Sequence, residues 1–163
     1  MVLSALGALL AIAASLLVAG QAGLLSGTPP RDLGVRDGRL KPPSATPNSV
    51  SSQADQHAGT GALVDEARIA PLPGGGDLAA TMTRLRRSIE AMPGSRIVEA
   101  RPDYLYVQFT TRWLKFVDDA EFWASGAEGV IHVRSASRLG RSDLGVNRAR
   151  IEKLRAALAA APK

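Results

Sequence analysis

The chain opens with "MVLSALGALLAIAASLLVAGQAGLLSG", and its first ionisable side chain is Arg31. The apolar run from Val2 to Leu25 exceeds the roughly 20 residues that a helix needs to cross a hydrocarbon core. A helix buried in a globular core would carry a polar stripe, and this one has none. Two readings follow. The segment is a cleaved signal peptide with Gly20-Gln21-Ala22 as a small-x-small cleavage site, or it is an uncleaved anchor. Its length favours the anchor. Arg31, Arg36, Arg39 and Lys41 follow closely and no basic residue precedes. Flanking charge alone therefore places the following domain on the cytoplasmic side.

The 163 residues allow one domain with an appendage. The formal charge of +5 is spread out, and aromatic residues make up 4%. Nucleic-acid binding calls for a clustered basic face with stacking residues, so no nucleic-acid partner is expected. Cysteine is absent and only His57 and His132 are present. Disulfides, thiolate sites and a cysteine nucleophile are excluded, and neither a metal nor another cofactor is expected.

Composition divides the chain into residues 1–27, the apolar segment; 28–61, a coil rich in Pro, Gly and Ser; and 62–163, the domain proper. The coil begins as a tether. Leu33, Val35, Leu40 and Val50 recur along it as anchors to the domain surface. From Asp77 to Met92, Leu78, Met82, Leu85, Ile89 and Met92 fall on one face of a helix. Asp77 is its predicted N-cap and Pro93-Gly94 its stop. "RIVEA", "YLYVQFTT", "KFVDDAEF" and "VIHVRSAS" then read as four strands in series. Leu105, Val107 and Phe109 share one face; Tyr104, Tyr106 and Gln108 share the other. A last helix runs from about Leu144 to Ala160, with Leu144, Asn147, Ile151 and Leu154 on one side. The predicted class is α+β: an antiparallel sheet of four to five strands with two main helices on one face.

Chemistry-bearing residues collect in the last third. Asp118, Asp119 and Glu121 lie on one strand; His132, Arg134, Ser135, Ser137 and Arg138 lie on the next. Cross-strand pairing sets opposite charges against each other. Period two puts Asp119 and Glu121 on one face and Asp118 with Phe116 and Phe122 on the other. A buried acid there needs a partner such as Arg134. Arg134, Arg138, Arg141 and Arg148 can form an anion pocket at the start of the last helix. Ser142 and Asp143 are its N-cap candidates, and Asn147 is expected to bond to loop backbone. His132 lacks a persuasive nucleophile partner and reads as a packed strand residue. Trp113 and Trp123 read as rim or core residues, or as membrane-interface residues.

The blocks "DLGVRDGRLKPPSATPNSVSSQA", "RIAPLP", "DYLYVQFTTRWLKFVDDAEF" and "IHVRSASRLGRSDLGVNRARIEKLR" closely resemble the bacterial and plastid domain-of-unknown-function family 1499. The likeness covers about Arg31 to Leu158. Its pattern falls on Pro47, Asn48, Val50, Ser51 and Ser52; on Phe116, Asp118, Asp119, Glu121 and Phe122; and on Arg134, Ser135, Ser137, Arg138, Gly140, Ser142, Asp143, Gly145, Asn147 and Arg148. The resemblance implies an envelope or thylakoid-type location and a domain facing the periplasm. It implies no established activity. Pro43 and Ser49 stand where that pattern commonly has cysteines, Arg141 where it has tyrosine, and Arg68 where it has a more apolar residue.

The leading expectation is a non-enzymatic module of the cell envelope, inner-membrane anchored or periplasmic. It binds a protein partner or a small anionic or lipidic ligand through Asp118, Asp119, Glu121, Arg134, Ser135, Ser137, Arg138, Ser142, Asp143, Asn147 and Arg148. Two alternatives remain open. One is a hydrolase-like or metal-assisted enzyme using Asp118, Asp119 or Glu121 with Arg134 and Arg138. The other is a charge network that only holds the fold.

Overall fold

The strand signals resolve into one six-stranded antiparallel sheet in the computed structural model, which describes residues 2–160 and the side chains of 5–160. The ends of the first and last segments, residue 1 and residues 161–163, lie outside the described residues. The elements are α1 (Val2–Gln21), β1 (Ser49–Ser51), α2 (Val64–Ala67), β2 (Leu72–Pro73), α3 (Leu78–Glu90), β3 (Ser95–Arg101), β4 (Tyr104–Thr110), β5 (Val117–Ser125), β6 (Val130–Ser137) and α4 (Val146–Ala160). The expected meander is β3–β4–β5–β6. The sheet continues through β1, which pairs with β6, while β2 pairs with the opposite end of β6.

The helix over residues 78–90 forms as its periodicity predicts. Thr81, Met82, Leu85 and Ile89 are buried, and the Asp77 carboxylate caps it by accepting from Ala80 N at 2.9 Å. Gly94 ends the turn behind it at φ 75°. A β-carbon there would lie 2.2 Å from Thr110 O, so only glycine fits. The last helix starts at Val146 rather than Leu144. Leu144 has a positive φ of 53° and is 93% exposed, so it is not part of the inward face.

Helices α3 and α4 cover one face of the sheet. Leu105, Val107, Phe109, Ala120, Phe122, Ile131 and Val133 meet Met82, Leu85, Ile89, Ile151, Leu154 and Leu158 there in a single core. The other face carries Tyr104, Tyr106, Gln108, Asp119, Glu121, His132 and Arg134. It is not a solvent face, because the coil before β1 lies over it. Leu40 is buried, Gly34 N donates to Glu121, and Arg134 donates to Pro42 O. Gln53 clamps the coil: its Oε1 accepts from Leu40 N at 2.9 Å and its Nε2 donates to Gly38 O at 2.9 Å. Pro43, in the loop before β1, and Ser49, the first residue of β1, are both buried, and Ser44 N closes that loop by donating to Ser49 Oγ at 2.8 Å.

The N-terminal run forms α1, whose side chains from Ala5 to Val18 are exposed on every side. Among the described residues no helix is long and apolar enough to cross a membrane. The end of α1 meets the loop between β4 and β5, where Gln21 Nε2 donates to Trp113 O at 2.7 Å.

If the coil is part of the folded unit, Gln53→Ala leaves a buried backbone N–H without a partner. A loss of about 1–3 kcal/mol is expected, read from urea unfolding. An unchanged midpoint would show that the coil is only draped over the sheet.

Candidate functional site

Consecutive residues of a strand point to opposite faces, and this divides the charged cluster in two. Asp118, Ser135 and Ser137 face the helices; Asp119, Glu121, Arg134 and Arg138 face the coil.

On the helix side the buried Asp118 is paired with Arg150, not with Arg134 as the sequence suggested. Arg150 Nη2 lies 2.6 Å from Asp118 Oδ2, and Ser137 Oγ donates to Oδ1 at 2.6 Å. Arg150 was missed as a site residue. It lies three residues beyond Asn147 and so shares its helix face, which is the signal that could have found it. Its guanidinium also stacks on Phe109, 4.4 Å from the ring centre. Asn147 is 0% exposed and uses its whole amide. Oδ1 accepts from Ser135 Oγ and from Arg150 Nη1 at 2.7 Å; Nδ2 donates to Asn48 O at 3.3 Å and Ser137 Oγ at 3.1 Å. It therefore ties the coil before β1 to β6 and α4. The expected bond to the arginine loop comes only through the main chain, where Asn147 N donates to Asp143 Oδ2 at 2.8 Å. Burial opposes ionisation of Asp143, but the N–H groups of Asn147 and Gly145 outweigh it and hold its pKa below the usual value. Ser142 Oγ accepts from Leu144 N at 3.1 Å. Arg148 points away from the cluster and donates to the backbone oxygens of Glu66 and Arg68. Arg141 is exposed and Arg68 pairs with Asp55, so neither joins an anion pocket.

On the coil side Asp119 and Arg138 form a two-pronged buried pair at 2.7 and 2.8 Å, and Tyr106 OH donates to Asp119 at 2.6 Å. Glu121 is fully buried. Its Oε1 accepts from Gly34 N at 2.7 Å and Tyr104 OH at 2.8 Å, while Oε2 has no partner. Burial pushes the Glu121 pKa up, against the pull of the Gly34 N–H, Arg134, Tyr104 and Lys41. Arg134 sits across the strand from Glu121 but forms no ion pair among the described residues. Among the described residues its one side-chain hydrogen bond runs from Nε to Pro42 O at 3.0 Å. Burial lowers its pKa, and Glu121, Asp119 and Asp32 offset part of that. Arg134 is 5% exposed and lines a cleft of about 480 Å³ between coil and sheet, with Thr28, Lys41, Ser44 and Arg138.

His132 has neighbours that the sequence did not reveal. Its Nδ1 lies 3.2 Å from Ser52 Oγ, its Nε2 2.9 Å from Glu128, and Trp123 stacks on the ring at 5.4 Å. The Ser52 hydroxyl is held by the backbone, accepting from Val133 N at 2.9 Å. It pins the coil to β6. Among the described residues no three His, Asp or Glu side chains converge on a metal position.

A family model described as a protein of unknown function, DUF1499, matches residues 39–158. The chain belongs to the DUF1499 family. No curated protein and no solved structure matches it. The matched span takes in the coil from Arg39 onward as well as the sheet and both covering helices, so the coil-side cleft lies largely within the family's domain.

Two predictions separate the faces. Asp118→Asn leaves Arg150 buried without its counter-charge and is expected to cost about 3–5 kcal/mol, while the double substitution Asp118→Leu with Arg150→Met recovers most of it; urea unfolding of the parent and the two variants checks this. The second concerns pH. Because the folded state raises the Glu121 pKa, the folded chain binds that proton more tightly than the unfolded chain. The contribution is present below the ordinary carboxylate pKa and is lost as pH rises through the folded value. The stability of the parent relative to Glu121→Gln should therefore fall between acid and neutral pH. A flat difference contradicts it.

Proposed function

We propose that this DUF1499 protein is a non-enzymatic module of the cell envelope, anchored by α1, that binds a small anionic ligand in the cleft between the coil and the sheet. Arg134 is the observation that carries this reading. A guanidinium presents five N–H donors, and Arg134 uses one of them. Lys41 and Arg138, which line the same cleft, are already matched by Asp32 and Asp119. Of these three cations Arg134 alone forms no ion pair among the described residues, and its burial makes an incoming carboxylate or phosphate oxygen a strong partner. Thr28 and Ser44 add hydroxyl lining.

The enzyme reading has less support. Asp118 and Asp119 face opposite sides of the sheet, and each is neutralised by its own arginine. They do not act on one substrate together. The anchor reading rests on the apolar run of the sequence from Val2 to Leu25, since no helix among the described residues is by itself long and apolar enough to cross a membrane; α1 lies within that run and bonds to the domain at its end. The membrane is its proposed surrounding, and the envelope location is proposed with it, on the apolar N-terminal run.

A ligand that binds only the folded state stabilises by RT ln(1 + [L]/Kd), about 2.7 kcal/mol at a hundredfold excess over Kd. Titration of the full chain with inorganic phosphate, and separately with succinate, should raise the melting temperature of the parent. Arg134→Gln should abolish the rise while Arg148→Gln leaves it intact. Equal shifts in parent and Arg134→Gln, or no shift with either anion, would sink the proposal.

A further inference from the structure

Outside α1 and Leu24, the large apolar side chains left exposed are Val98, Trp113, Phe116, Leu139, Leu144 and Val146. All but Val98 lie at one end of the sheet. The loop from β4 to β5 carries Trp113 and Phe116, and the loop from β6 to α4 carries Leu139 and Leu144. Antiparallel pairing brings these loops together, with Asp118 opposite Ser137. Phe116, Leu139, Leu144 and Val146 line a common recess of about 260 Å³.

The end of α1 meets this same end of the domain. Gly20 packs so closely on Leu114 that a β-carbon would lie 2.6 Å from its carbonyl oxygen, and Gln21 bonds to Trp113 O. The chain leaving α1 then passes along Leu139, which lies 3.1 Å from a β-carbon built on Gly27. Arg112, stacked on Trp113, joins Lys115 and Arg141 to give this end its basic charge. Two of the non-glycine residues with positive φ, Lys115 and Leu144, are here as well. Leu144, 93% exposed, holds an apolar side chain outward from a backbone conformation that L-residues rarely adopt.

We propose that this end of the domain is a membrane-docking surface, with Trp113, Phe116, Leu139 and Leu144 inserted at the lipid interface and Arg112, Lys115 and Arg141 against anionic headgroups. The proposal rests on the anchor reading of α1 and extends it: the domain does not hang on a free tether but lies on the bilayer. An exposed tryptophan beside a basic residue suits the headgroup level, where aromatic rings keep an apolar body in lipid and a polar edge in water. Basic residues near an anionic surface add attraction. With α1 in a bilayer, an apolar patch beside its end lies close to the lipid interface, and exposed apolar patches mark interaction sites.

The two tryptophans permit a direct test with the full chain. Trp113 is 62% exposed on the proposed surface, whereas Trp123 stacks on His132 on the coil-covered face. The chain is reconstituted into vesicles of phosphatidylcholine and phosphatidylglycerol, with and without brominated acyl chains, and flotation is scored first. In Trp123→Phe, the remaining Trp113 should be strongly quenched by bromine and its emission blue-shifted. In Trp113→Phe, the remaining Trp123 should be unaffected; should one variant misfold, the difference in quenching between the parent and the variant that folds gives the same reading. Quenching should weaken in phosphatidylcholine alone, and equal quenching there overturns the anionic-headgroup part. A chain that floats with Trp113 unquenched overturns the docking surface and leaves the anchor standing. A chain that does not float overturns both.

Discussion

The fold depends on one amide. A buried side chain that offers two donors and two acceptor sites must find partners for them or lose the energy of desolvation. Asn147 finds them on three separate segments: the carbonyl of Asn48 ahead of β1, the hydroxyls of Ser135 and Ser137 on β6, and Arg150 one turn along α4. Its bond to Arg150 also aims that guanidinium at Asp118. A helix would not otherwise carry asparagine on its inward face. Here the amide sets where the short edge strand β1, its neighbour β6 and the last helix meet, a task that a leucine, with no direction to its contacts, does not perform.

Strand pleat then divides the charges. Asp118 and Asp119 are neighbours in sequence but lie on opposite sides of the sheet, each with its own arginine. In the helix-side group every acceptor of Asp118 and Asn147 is in use, and only the Oδ1 of the adjoining Asn48 is left without a partner. The coil-side group is not closed. Glu121 keeps one oxygen without a partner, and Arg134 keeps most of its donors facing a cleft. Satisfied networks rigidify a fold, whereas unsatisfied buried groups are costly and call for an explanation. This contrast, more than the number of charges, separates scaffolding from candidate site.

Much of this was legible in the sequence. The spacing of Leu78, Met82, Leu85 and Ile89 marked α3, and alternation over residues 104–109 marked β4, because burial on one face imposes those periods. Strands β1 and β2 escaped because three and two residues are too few to show a period. The coil's role was half visible: Leu40 was an anchor candidate, but nothing in Tyr104, Tyr106 and Gln108 told a covered polar face from a wet one. A buried acid was expected to take a partner such as Arg134, and Asp118 takes Arg150 instead, because sequence order cannot say which helix lies over which strand. Arg150 came into view only once α4 was placed over β5 and β6.

Hydrogen exchange of backbone amides in Asn147→Ala, compared with the parent, tests the central role of this residue most directly. The β1 amides Ser49–Ser51 and the first turns of α4 should lose protection together, while the β3–β4 hairpin, which Asn147 does not touch, stays protected until global unfolding. Loss confined to α4, or protection unchanged in both segments, would contradict the account.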